Sequence, residues 1–201
     1  FYTGLSCQHG IVAATLAEQG ITGVHGAVEE CLLPYTAAAD VTDALLTPFD
    51  TFGDSYYLTS SYMKIHAACR YSHAPIEALA ELQDSTGIDP DDVERVRVRT
   101  FELGTTLDRT DPDNVLSAKF STPFALASRL YTGRSDAEAF TPDLVANDKI
   151  QALADRVELG VDEALESRAS EGKWGATVTV ELTDGTTHST TKEDARGGGD
   201  T

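Results

Sequence analysis

The chain has 201 residues, with 33 Asp and Glu against 15 Lys and Arg and a formal net charge of −18. Such a surface repels phosphate backbones and anionic lipid, which argues against nucleic acid and membrane surfaces as partners. A hydrophobic fraction of 41% excludes a chain disordered throughout.

The three cysteines, Cys7, Cys31 and Cys69, are odd in number and far apart, so they do not make a disulfide framework. No apolar run reaches the length of a membrane span, and no signal peptide is visible. Only five basic residues are Lys, and the carboxylates are spread along the chain. That is the pattern of a halophilic, cytoplasmic protein kept soluble in concentrated salt, where screening blunts self-repulsion. The opening FYTGLSC without an initiator Met and the closing GGGDT give the expectation of a piece cut from something longer.

In chain order, GIVAATLAEQG is predicted helical, with Ile11, Val12 and Leu16 on its apolar face and Gly20 just past its end. A second short helix is expected through HGAVEECLL up to Pro34, and a third over residues 36–46. The turn-rich TPFDTFGDSYY is the candidate boundary, dividing residues 1–50 from 51–201. SYMKIHAAC reads as a short strand or extended segment. Ser72 is the expected N-cap of the helix APIEALAELQDSTG, with Pro75 in its first turn and Gly87 past its end. VERVRVRT alternates in strand fashion through Val93, Val96 and Val98. DNVLSAKFSTPFALASRLYTG is predicted mostly helical, ending at Gly133, and TPDLVANDKIQALADRV holds one or two helices starting at Thr141–Pro142. GATVTVELTDGTTHSTT is a hairpin turning at Asp184–Gly185. The sum is an α+β fold. Trp174 and Tyr131 are expected to pack, His188 to be solvated, and RGGGD to be a loop.

Acids are missing from three stretches, residues 55–76, 114–135 and 1–17. The first contains MKIHAACRYSHAPI. If residues 63–69 are extended, Lys64, His66 and Ala68 share one face, and Arg70 and His73 sit at the junction with the next helix, whose N-terminus adds free N–H groups. Cations and imidazoles meeting there suit a carboxylate and a proton transfer. The plainer alternative is that Lys64 and Arg70 balance surface carboxylates while the histidines are half buried. In the second stretch, Lys119, Ser121 and Thr122 stand at a helix start where an anion can be held. In the third, His9 is a weaker candidate for the same pocket. His66, Cys69 and His73 have the short spacing of metal ligands, but Lys64 and Arg70 oppose a cation and no carboxylate completes the set, so neither metal nor cofactor is expected. No GxSxG, HExxH or dinucleotide fingerprint occurs.

Four stretches together resemble the MmgE/PrpD family, which includes 2-methylcitrate dehydratase, cis-aconitate decarboxylase and iminodisuccinate epimerase. They are GIVAATLAEQGITG with the following VEE, KIHAACRYSHAPIEAL, SAKFSTPFALASRLYTG, and VTVELTDGTTHSTTKEDARGGGD. The resemblance implies the remnant of an all-helical domain over residues 1–50, followed by a mixed α+β lid domain over 51–201 whose last residues lead back toward the helical part. It implies a hydro-lyase acting on a small di- or tricarboxylate by proton abstraction next to a carboxylate, as in propionate catabolism, and a homodimer for the full-length protein. An epimerase of the same family, or a non-catalytic anion-binding or docking module, is the alternative. Carried over by position, Lys64 matches the family's pocket lysine and His73 its histidine before the helix, both expected as catalytic. Cys69 stands where some members have His. Arg70, His66, Cys69, Lys119 and Ser121 are expected to bind substrate. Phe124 departs from members that place a Tyr there. The fragment alone is expected to be inactive, because the family's N-terminal part supplies further active-site groups.

Overall fold

A computed structural model of the chain describes residues 2–27, 51, 53, 54, 56, 58 and 61–198. Two units separate along it, Phe1–Tyr57 and Leu58–Thr201.

The first unit contributes helix α1, Tyr2–Glu18. It begins well before the Gly10 start read from the sequence, because nothing in TGLSCQ breaks a helix once the following turns have nucleated it. Gly20 ends it with a φ of 86°, a conformation that costs glycine little. The helix has no buried residue, and Ile11, Val12 and Leu16 are exposed. The helices expected to follow fall largely outside the described residues.

In the second unit, helix α2 (His73–Thr86) carries Pro75 in its first turn and stops at Gly87, whose φ is 71° and whose N–H donates to the Gln83 carbonyl. Strand β1 (Val93–Thr100) buries Val93, Val96 and Val98. A register shift between Val93 and Arg95 accounts for the three-residue step between the first two. After the short helix α3 (Glu102–Thr105), the single helix expected over 114–133 is divided. Helix α4 (Val115–Lys119) is held by a capping box between Asn114 and Ser117. Helix α5 (Thr122–Thr132) starts anew because the Ser121 hydroxyl caps the Phe124 N–H and Pro123 follows. Helices α6 (Pro142–Val145) and α7 (Asp148–Ala154) come next, capped by Thr141 and Asn147. Strand β2 (Val157–Val161), helix α8 (Glu163–Ala169) and the hairpin of β3 (Ala176–Leu182) and β4 (Thr187–Lys192) complete the unit.

The sheet runs β2-β1-β3-β4, with β1 and β2 parallel and the other pairs antiparallel. Helix α2 lies against β3, β4 and α5, and α5 lies against α7. The core between them contains Ile76, Leu79, Val98, Phe124, Leu126, Leu153 and Val178. Each such side chain contributes about 1.5–3 kcal/mol by leaving water. The opposite sheet face is polar, with Arg97 donating to Glu181 at 3.2 Å and Thr179 paired with Ser189 at 2.8 Å. The second unit is therefore α+β.

Residues 61–69 are not a strand. Their backbone groups go to three separate partners: Met63 N–H to the Gly197 carbonyl, Ala67 N–H to Ser135 and Cys69 N–H to Lys119, at 2.7, 2.9 and 2.7 Å. One partner strand would be needed to make a ladder. The segment is instead a seam joining three regions distant in sequence.

Candidate functional site

That seam brings the first two acid-free stretches together. The Cys69 N–H···Lys119 bond fixes them at the backbone, and Ser72 Oγ meets Thr122 Oγ1 at 2.8 Å behind it. Beside the seam lies an open hollow of about 460 Å³ lined by Lys64, His66, Ala67, Lys119, Asp136 and Ala137 with Ile65. A bend at residues 66–68 turns the exposed Lys64 back, so that its Nζ donates to the Ala68 carbonyl at 3.0 Å. One donation leaves an ammonium two further N–H groups. The Asp136 carboxylate is held by Arg134 at 2.6 Å, with its pKa below the usual carboxylate range because of that hydrogen bond. Two lysines thus share a hollow whose single acid is already paired.

Arg70 and His73 lie behind this hollow. Arg70 is buried and spends its guanidinium on the loop after β4: Nη2 donates to the Ala195 carbonyl at 2.9 Å and to Asp194 at 3.4 Å, and Nη1 donates to the Arg196 carbonyl at 3.2 Å. Tyr62 covers it, with the guanidinium carbon 5.0 Å from the ring centre. Together with Met63–Gly197, these contacts fasten residues 194–197 like a strap across the seam. His73 is fully buried, and its Nδ1 lies 3.4 Å from Arg70 Nη1. Burial first, then the neighbouring His66 and Arg70, pushes its pKa down to about 4, so it is neutral near pH 7. The Nε2 atom has no hydrogen-bond partner. The N-terminus of α2 is likewise buried, with Ser72 turned to Thr122, so its N–H groups do not open into the hollow.

His66 faces both ways. Its Nδ1 is 2.7 Å from Ser135 Oγ, and its Nε2 is 3.2 Å from Glu77 Oε1. Glu77 also accepts the Arg196 backbone N–H at 3.2 Å and faces the Arg196 guanidinium at 3.3 Å. Burial lowers the His66 pKa and outweighs the opposing hydrogen bond from Glu77. The contact is therefore a neutral imidazole donating Nε2–H to a carboxylate rather than an ion pair, and Nδ1 is left to accept from the serine. The His66 and His73 rings meet edge-on at 4.9 Å. Among the described residues no group of three or more His, Cys, Asp or Glu could hold a metal.

Of the residues singled out in the sequence, Lys64, His66 and Lys119 line one hollow, and Arg70 and His73 form a second, buried pair. Cys69 is half-buried and joins the seam through its backbone. Ser121 is buried, capping α5 and donating to the Arg109 carbonyl. His9 lies on the exposed α1. Sequence reasoning passed over Glu77, Ser135 and the strap residues. Glu77 had a signal: it is the acid that ends the first acid-free stretch, four residues after His73 on one helix, at a position where an apolar residue would continue the buried face.

Residues 66–201 match the family model described as the MmgE/PrpD C-terminal domain. No curated protein matches the chain.

Proposed function

The chain belongs to the MmgE/PrpD family, and from that premise we propose that it serves a hydro-lyase of the 2-methylcitrate dehydratase type, with a small di- or tricarboxylate bound at the Lys64–Lys119 hollow. The observation that carries this reading is the meeting of two cations from separate acid-free segments at one hollow. In the reaction a base takes the proton from the carbon next to a carboxylate. The C–H electron pair becomes the new double bond, and the leaving hydroxide departs with a proton as water. Lys64 and Lys119 hold the carboxylate and stabilise the charge that builds on it as the C–H bond breaks. Arg70 and His73 support the site from behind by fixing the strap. Residues 1–50 belong to a helical domain in this proposal, a reading supported by the exposed apolar face of α1.

The test is to supply 2-methylcitrate and citrate to the full-length protein and follow loss of water through the alkene signals in proton NMR. Dehydration that disappears in Lys64→Ala supports the reading. Turnover unchanged by that substitution removes the role given to Lys64. Inversion at the carbon without an alkene assigns the hollow to epimerase chemistry.

A further inference from the structure

A serine hydroxyl, a histidine and a buried carboxylate stand in line next to the hollow: Ser135 Oγ to His66 Nδ1 at 2.7 Å, then His66 Nε2 to Glu77 Oε1 at 3.2 Å. We propose that Ser135 is the proton-transfer group at the hollow, with His66 as its base and Glu77 as the residue that holds His66 in the Nε2–H tautomer. This rests on the reading that the hollow binds a carboxylate.

The geometry sets the direction of the relay. Glu77 already accepts two N–H groups from Arg196 and the imidazole, so it is the acceptor end, and His66 must present its lone pair at Nδ1. Ser135 is the outer end: it is partly exposed, while His66 and Glu77 are buried. Its neighbours Asp136 and Ala137 line the hollow. The backbone fixes it there, because its carbonyl accepts the Ala67 N–H at 2.9 Å. When a carbon-bound proton passes to Ser135 Oγ, the hydroxyl proton moves to Nδ1, and His66 becomes an imidazolium balanced by Glu77. The reverse sequence returns the proton to a leaving hydroxide. No atom beyond substrate and these three side chains is needed.

The charges around His66 agree with this assignment. Glu77 on α2 raises its pKa, and Arg196 from the strap and Arg129 from α5 lower it. His73 meets it edge-on, and Lys64, Lys119 and Asp136 face the hollow it lines. The imidazole is therefore neutral near pH 7 and able to take a proton. His73, with its ring fully buried and one nitrogen turned to Arg70, has no such path.

The experiment measures, in the full-length protein, exchange of the carbon-bound protons of citrate and 2-methylcitrate in D2O, together with His66 nitrogen shifts by NMR. Ser135→Ala is expected to lower the exchange rate on the order of 10²-fold while the half-saturating concentration changes less than about threefold. Ser135→Thr, which keeps the hydroxyl, is expected to restore most of it. Glu77→Gln removes the contact that raises the His66 pKa, so the acid limb of the rate profile moves to lower pH and the plateau falls. Exchange within about twofold of wild type in Ser135→Ala, alongside loss of binding in Lys64→Ala, overturns the relay and leaves the anion site standing. If wild type binds no tricarboxylate, the reading of the hollow fails, and the relay is then judged on the tautomer: Nε2–H in wild type supports it and Nδ1–H overturns it.

Discussion

The Cys69 backbone N–H donates to the Lys119 carbonyl at 2.7 Å, and this bond joins two stretches of chain fifty residues apart that both lack acids. Because the joint is made by the backbone, the side chain of Lys119 is free to turn into the hollow with Lys64. A net charge of −18 surrounds the pair. The hollow's one carboxylate, Asp136, is already paired with Arg134, which leaves the two ammonium groups the charge to attract an anion.

Arg70 is predicted to act on stability more than on ligand binding. Removing it leaves the Ala195 and Arg196 carbonyls without this donor, while Asp194 keeps the Ala195 N–H alone. Arg70→Ala should lower unfolding stability by about 2–4 kcal/mol in urea titrations. Amide exchange at Arg196 should quicken as the strap loosens.

Gly197 closes the strap against Met63. Its φ is 99°, and a Cβ there would overlap the Met63 carbonyl oxygen. Gly197→Ala should destabilise the chain by about 1–3 kcal/mol, from the unfavourable φ and the displaced backbone together. Thermal melts of this variant beside Gly172→Ala, which has a similar φ but open space around it, separate the contact from the backbone preference.

The buried histidines make stability depend on pH. His73 is depressed to about 4 and His66 is lowered as well, both chiefly by burial. In the unfolded chain each takes up a proton near the ordinary value of about 6.5. Between these values the unfolded state binds more protons than the folded one, so the stability is fully present above about 6.5 and falls as pH drops toward 4. Urea midpoints measured from pH 7.5 to 4 should show this slope, and His73→Gln should flatten it.

Much of the second unit was legible from its sequence, and the reasons differ by element. The Val93, Val96 and Val98 pattern, the Asp184–Gly185 turn, Pro75 and Gly87 act locally, so pattern reading finds them. Strand β2 has a single buried residue and a glycine in five positions, which leaves no alternation to see. The seam at 61–69 looked strand-like because extended backbone is the same whether it joins a ladder or three unrelated partners. Within the site, Lys64 and Lys119 stood out through the missing acids around them. Ser135 did not, because its role depends on Ala67 and His66 folding back across 69 residues. Arg70 and Lys64 look alike in sequence, and only the strap distinguishes a clamp from a cation facing a hollow.

The most direct measurement is calorimetric titration of citrate into wild type, Lys64→Ala, Lys119→Ala and the double variant at low salt. A charged hydrogen bond of about 1.5–3 kcal/mol predicts that each single substitution weakens binding roughly 10- to 100-fold. The double variant is predicted to lose less than the sum, because both lysines hold one ligand. Binding in the double variant equal to wild type would contradict the account, since the ligand would then be held away from the place where the two segments meet.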